Sequence, residues 1–428
     1  MPVTLSPLDA AFLHVEDDQH PMQLAGVLTF AGPAPTFGEF RSAIADRLGD
    51  LPHFTRRLTR LGNALKRPEW VDDEKFDLDN HLSDFTFPEP ANEAAVLRHI
   101  ADLTTTKLDP SRPQWRMALV NGLEGGRFGI ALTVHHCMVD GLSIMEIFST
   151  LFTVSPDGST QLPTAPPAKA AAPGAEPVPG KGLSSHLRTT LGLVANTTGR
   201  RLSAQRASGE RLVSVARFPL ADVSAVRKQS GVTINTVMLA AVAGGLRNQF
   251  TRAEKPARDM YAFVPVNRRG TTDRGFHGNQ IAMTYPRLPV SEVNPQVRLQ
   301  AAADEVARCA ADRQADTTAL LVELTGSAPN AVASLANRLF QYRAGIFDLT
   351  ITNVPGPPIP VYFLGRRLES IVGSTPLTRK HPLTVALLSY AGEMTVAVTC
   401  DPKRVPHGAH IAEDIVASFR ELEATFES

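Results

Sequence analysis

Residues Pro156 to Gly180, PDGSTQLPTAPPAKAAAPGAEPVPG, are mostly proline, alanine and glycine, with no aromatic and only two aliphatic positions. A run of this kind buries too little apolar surface to offset its chain entropy, so it cannot pack a core. It divides the 428-residue chain into an N-terminal unit (residues 1–155), a crossover (156–210) and a C-terminal unit (211–428). Both units are long enough to form a core without disulfides or metal. No internal repeat links them.

Hydrophobic periodicity in the first unit predicts strands at Met22 to Phe30, Arg116 to Asn121 and Gly129 to His136, and helices at Phe37 to Leu48, Glu93 to Lys107 and Leu142 to Phe152. In the second unit it predicts helices at Leu220 to Ser230, Ile234 to Phe250, Val297 to Asp312 and His410 to Phe426. Strands are predicted there at Ala262 to Val266, Gln280 to Tyr285, Leu349 to Thr352, Thr384 to Tyr390 and Glu393 to Cys400. The elements alternate irregularly, which points to a mixed α/β (α+β) fold with helices on the faces of mixed sheets rather than a regular barrel or doubly wound sheet.

The 43 basic residues balance 43 acidic ones, so the chain lacks the long-range field with which nucleic-acid binders collect phosphates, and no nucleic-acid partner is expected. Cys137, Cys309 and Cys400 stand far apart, without the spacing of a zinc ribbon or disulfide framework, and suit a reducing interior. The opening residues carry Asp9, Glu16, Asp17 and Asp18 and no basic flank, the wrong pattern for a secretory signal. The most apolar runs, Phe128 to Val139 and Val237 to Leu246, fall well short of the about 20 residues of a membrane span. After the proline-rich run, Leu183, Leu187, Leu191 and Val194 recur at helical spacing beside Arg188, Arg200, Arg201, Arg206 and Arg211. That segment is either an interfacial membrane helix or a helix packed on the body with solvated arginines.

The chemistry concentrates in His135-His136-Cys137-Met138-Val139-Asp140-Gly141, between a buried strand and a helix. Strand ends feeding loops are where polar groups face cavities. Adjacent strand residues point to opposite faces, so one histidine works while the other supports it. The same geometry argues against a two-histidine metal site, which wants i, i+2 on a strand or i, i+4 on a helix; no metal is expected. An imidazole is the natural general base near neutral pH, and Asp140 is the carboxylate placed to orient the ring or its loop, with Gly141 allowing a tight turn after it. No GxSxG elbow occurs and no cysteine has a recognisable catalytic setting; taken alone, a histidine pair followed by Asp-Gly is more often a satisfied core or turn feature.

His135-His136-x-x-x-Asp140-Gly141 resembles the HHxxxDG motif of the CoA-dependent acyltransferase superfamily, and its surroundings are similar to the bacterial wax ester synthase/diacylglycerol acyltransferase branch. Ser6-Pro7-Leu8-Asp9-Ala10-Ala11-Phe12-Leu13, Leu108 to Trp115 (LDPSRPQW), Gly278-Asn279, Asn353-Val354-Pro355-Gly356-Pro357 and Ser389-Tyr390-Ala391-Gly392 follow in that branch's order. The resemblance implies two chloramphenicol-acetyltransferase-like domains around a central tunnel. It implies His136 as general base, Asp140 holding the motif's geometry, and His135 and Gly141 in support. Asn279 and Asn235 are candidates for lining the tunnel, or else a turn residue and a helix cap. The rigid NVPGP segment is expected as a turn after its strand.

Implied partners are acyl-CoA, as co-substrate with no further cofactor, and diacylglycerol or a long-chain alcohol as acceptor. The resemblance also implies a cytoplasmic protein associated peripherally with the inner face of the plasma membrane or with lipid droplets. The rival expectations are another hydroxyl acceptor or a non-catalytic lipid-binding homologue. Two stretches depart from the branch: Asn235-Thr236 where it has Asn-Asp, and Arg379 to Thr384, RKHPLT, where it is more polar.

Overall fold

The computed structural model describes residues 2–63, 65–139, 141–162, 207–267, 281–326, 328–335 and 346–426. The basic segment 183–206 therefore lies outside the described residues, as do Asp140 and Asn279. In the first half run β1 (Val3–Thr4), α1 (Pro7–Val15), β2 (Gln23–Phe30), α2 (Phe37–Arg47), β3 (Arg56–Thr59), β4 (Glu69–Asp72), β5 (Leu82–Ala91), α3 (Glu93–Thr105), β6 (Trp115–Leu123), β7 (Phe128–His135) and α4 (Gly141–Leu151). The second half supplies β8 (Leu212–Pro219), α5 (Leu220–Ser230), α6 (Ile234–Arg252), β9 (Met260–Asn267), β10 (Ile281–Thr284), β11 (Arg287–Leu288), α7 (Pro295–Ala311) and α8 (Gln314–Gly326). It ends with β12 (Leu349–Pro355), β13 (Tyr362–Phe363), β14 (Arg366–Ser374), β15 (Leu383–Tyr390), β16 (Glu393–Cys400) and α9 (Ile411–Ala424).

Two large sheets result, ordered β13-β14-β2-β7-β6-β5 and β10-β9-β12-β15-β16-β8, with β11 pairing β9 and a small β1-β4-β3 sheet beside them. Pairs β5–β6, β12–β9 and β12–β15 are parallel, while β2–β7, β6–β7 and β15–β16 are antiparallel. The mixed α/β architecture expected from the alternation is what the chain adopts.

The first core gathers Phe30, Phe40, Phe54, Trp115, Phe128, Phe152 and Phe363. Burying each such ring contributes about 1.5–3 kcal/mol. In the second core the apolar run Val237 to Leu246 becomes the fully buried middle of α6. Its Gly245 lets α9 close on it: a Cβ there would stand 2.6–2.8 Å from Ile415 backbone and side chain.

Three features differ from the sequence expectations. First, β14 lies beyond Arg211 in sequence yet completes the N-terminal sheet against β2, from Leu368↔Phe30 to Ser374↔Ala25. The close approach needs Gly26, where a Cβ would lie 2.7 Å from the Val372 carbonyl oxygen. Second, Asn353 to Pro355 are not a turn but the end of β12, paired with Leu387 to Ser389. Gly356 carries the pairing one bond further, its N–H donating to the Ser389 carbonyl at 2.8 Å, and the chain bends at Pro358 and Ile359. Third, α1, β5, β8, α8 and the short strands β1, β3, β4, β11 and β13 form where the periodicity gave no element. Tyr390 fastens the exchanged segment: its hydroxyl donates to the Leu368 carbonyl (2.9 Å) and accepts the Val361 N–H (3.1 Å).

Candidate active site

β7 ends one residue sooner than the pattern predicts, at His135, and His136 begins the turn. The ladder nevertheless runs one hydrogen bond further, since the His136 N–H donates to the Met22 carbonyl at 2.8 Å. The chain then folds over, with Met138 N–H donating to the His135 carbonyl at 2.9 Å. Asp140 is outside the described residues, and Gly141 opens α4.

The two histidines meet different surroundings. His135 is 2% exposed, and its Nδ1 accepts the Cys137 N–H at 3.1 Å. A backbone N–H can only donate, so that nitrogen carries the lone pair and the neutral ring holds its proton on Nε2. Nε2 faces Glu16 Oε1 at 3.7 Å, too long for a hydrogen bond but close enough for charge to act. Burial pushes the Glu16 carboxyl up, but the facing His135, the Lys107 ammonium and the Met22 N–H outweigh it and leave it below the ordinary carboxylate value. His136 is half-buried and lies flat on Phe12, ring centroids 4.0 Å apart and planes 10° from parallel.

Phe12 comes from α1 and Glu16 from its C-cap, a segment the sequence expectations treated only as a matching string. Its local logic is readable afterwards. Ser6 caps the helix by accepting the Asp9 N–H at 3.0 Å, Pro7 takes the first turn, and the Ser6 hydroxyl donates to Asp9 Oδ2 at 2.7 Å. Phe12, in the last turn, and Glu16, the extended C-cap residue four positions on, reach His136 and His135 respectively. The i, i+4 spacing was visible in the sequence; the neighbours it serves were not.

The string LDPSRPQW also has a structural job. Gln114 donates from Nε2 to the Asp109 (2.7 Å) and Arg112 (2.6 Å) carbonyls, and its own carbonyl accepts the His135 N–H at 2.9 Å. On the other side Gln23, opposite His135 in register, donates to the Leu103 and Thr106 carbonyls. His135 is thus held between two braced strands. Cys137 is buried, and burial, with the Asp9 and Glu16 charges, pushes its thiol well above the ordinary value. A buried, protonated thiol is not a nucleophile.

Among the other residues singled out, Asn235 is half-buried in the first turn of α6. The cap is not Asn235 but Thr233, whose Oγ1 accepts the Thr236 N–H at 3.1 Å. In the divergent RKHPLT stretch, His381 is buried, stacked on Phe347 at 3.7 Å and bonded to Thr378. Burial, with the Lys380 and Arg404 charges, pushes it down to about 3, so it is a neutral core residue. Arg404 donates to the Arg379 and Lys380 carbonyls and fixes the same stretch.

Comparison with known proteins agrees with this architecture. The family model of the wax ester synthase/diacylglycerol acyltransferase catalytic domain matches residues 5–206, and that of the WS/DGAT C-terminal domain matches residues 277–423. A probable diacylglycerol O-acyltransferase of Mycobacterium tuberculosis is 31% identical over 96% of this chain and 95% of its own length. A wax ester synthase/diacylglycerol acyltransferase from Marinobacter aquaeolei VT8 shares the fold, with a TM-score of 0.73, 24% identity and full coverage of both chains. The first condensation domain of the calcium-dependent antibiotic synthetase also shares it, at a TM-score of 0.65 and 18% identity, over 100% of this chain and 96% of that one. From the capped helix beside the histidines to the strands of the second sheet, the chain belongs to the wax ester synthase/diacylglycerol acyltransferase family.

Proposed function

We propose that this acyltransferase moves a long-chain acyl group from acyl-CoA to diacylglycerol or a long-chain alcohol, with His136 as general base. In this reading the acceptor hydroxyl gives its proton to His136 and its oxygen attacks the thioester carbonyl. The C–S bond breaks, and His136 returns the proton to the CoA thiolate. Both substrates meet at one histidine, in a tunnel between the halves, so no covalent acyl-enzyme is required. The observation that carries the assignment is the division of labour in the pair: Nδ1 of His135 is committed to the Cys137 N–H and its ring is buried, while His136 is the more exposed imidazole at the turn. Asp140 would hold the turn, Gly141 would start the following helix, and Asn235 and Asn279 would line the acceptor side.

The test is thiol release from palmitoyl-CoA with and without dioleoylglycerol or hexadecanol, beside His136→Ala. We expect acceptor-dependent release that falls about 10²- to 10⁴-fold in the variant. Release that ignores the substitution would remove His136 from the chemistry.

A greasy acceptor also calls for contact with a membrane or lipid-droplet surface, and we propose peripheral association on the cytoplasmic side. No single helix among the described residues is long and apolar enough to cross a membrane. The pair α5 and α6 reaches the required composition together but is bent by 105°, and the apolar part of α6 is buried in the second core. That supports a role for α6 as a core helix rather than as half of a span. The arginine-rich segment 183–206 is the proposed anchor.

A further inference from the structure

The Phe12 face lies parallel to the His136 imidazole at 4.0 Å, and it is a fixed platform. Leu8, Ala10, His14 and Val15 bury α1 in the body. His14 Nε2 meets Asn330 Oδ1 at 2.9 Å, and Asn330 Nδ2 donates to the Asn63 carbonyl at 2.6 Å, which ties the helix to two other segments. A phenyl face carries negative π density. Against a neutral imidazole the contact is mainly dispersion; against an imidazolium, attraction to the cation is added. The stack therefore favours the protonated ring, and only contacts that strengthen toward the transition state accelerate a reaction.

We propose that Phe12 is a positioning residue that fixes the plane of His136 and stabilises its imidazolium as the acceptor hydroxyl gives up its proton. This rests on the reading of His136 as the base. The charge that develops on His136 appears when the O–H proton is taken, and it disappears when that proton passes to the departing CoA thiolate. Among the described residues, the titratable groups around the turn are Asp9 of α1, Glu16 at its C-cap, Lys107 facing Glu16 from just past α3, and His135 and Cys137 of the motif itself; Asp140 lies outside the described residues. Glu16 is set against His135 and Lys107, and Cys137 stays protonated. Phe12 is the aromatic face in contact with His136 among the described residues.

The experiment is the pH dependence of kcat for palmitoyl-CoA with the acceptor that supports turnover, in the parent, Phe12→Leu, Phe12→Tyr and His136→Ala. Leucine keeps apolar volume and removes the π face. We expect Phe12→Leu to lower kcat about 3- to 10-fold, with KM for palmitoyl-CoA within about twofold. The acid limb should move to lower pH, because the imidazolium has lost its partner, and Phe12→Tyr should restore both values.

A kcat loss without displacement of the limb would mean packing alone and overturns the proposal, as does an unchanged kcat. If Phe12→Leu fails to fold, Phe12→Trp carries the test: the proposal requires its limb at or above the parent's pH, and a limb displaced downward refutes it. Failure of the base reading is distinct, since His136→Ala would then keep its activity; a dead His136→Ala beside an indifferent Phe12→Leu defeats the Phe12 proposal alone.

Discussion

Tyr390→Phe removes one oxygen and leaves the ring. That oxygen is the junction between the second half of the chain and the N-terminal sheet: it accepts the N–H of Val361, which is wholly buried, and donates to the carbonyl of Leu368, the first residue of β14 paired to β2. Tyr390 itself is 6% exposed, so water does not readily replace the hydroxyl. A buried donor left without an acceptor costs about 1–3 kcal/mol. The carbonyl, with a second lone pair, costs less to leave short. Together we expect a destabilisation of about 2–4 kcal/mol, read as a lower urea midpoint at unchanged slope. Tyr362→Phe is the control: its ring is half-buried on β13, and a shift under about 0.5 kcal/mol is expected. If Tyr390→Phe unfolds within that same margin of the parent, the hydroxyl does not tie the exchanged strands and the reasoning is wrong.

Glu16 is held below its ordinary value of 4.5 in the folded protein. Its contribution to stability is therefore fully present above 4.5 and is lost as the pH falls through the lower folded value. In Glu16→Gln the stability curve should be flatter on that acid side, as followed by urea unfolding at several pH values; an equally steep curve would show that the carboxylate does not gain from His135 and Lys107. For the anchor, a chain lacking residues 183–206 should no longer sediment with vesicles containing anionic phospholipid, and unchanged sedimentation would discard that segment as the membrane contact.

Local pattern carried far into this fold. The apolar stretch Val237 to Leu246 reads as helical and is the buried middle of α6. The β15–β16 hairpin closes on its Tyr-Ala-Gly-Glu turn, in which Ala391 and Gly392 both take positive φ, as a type I′ loop requires. β7 and the helix after it were legible as well, and with them the place where the two histidines stand. The resemblance of several separated strings named the chemistry that the histidine pair alone left open.

What could not be read is what depends on partners from elsewhere in the chain. β14, RRLESIVGS, loses its alternation at a register irregularity between Leu368 and Ser370, which only its pairing with β2 defines. The alternation argument for the histidines treated both as strand residues. His136 lies just past the strand, where the Met22 carbonyl and Phe12 fix it.

By itself, then, the sequence determined the helices and strands whose side chains alternate with their own period, the proline-rich break, and the residues proposed to carry the chemistry. Only the tertiary structure decided that a strand from the second half completes the first sheet, that α1 and its C-cap supply the neighbours of both histidines, and which histidine is committed to its own turn. The physical reason is range. Periodicity and capping act over one or two turns of backbone. The pairing of Ala25 with Ser374, or the stack of Phe12 on His136, is chosen by the packing and hydrogen bonding of segments brought together only when the whole chain folds.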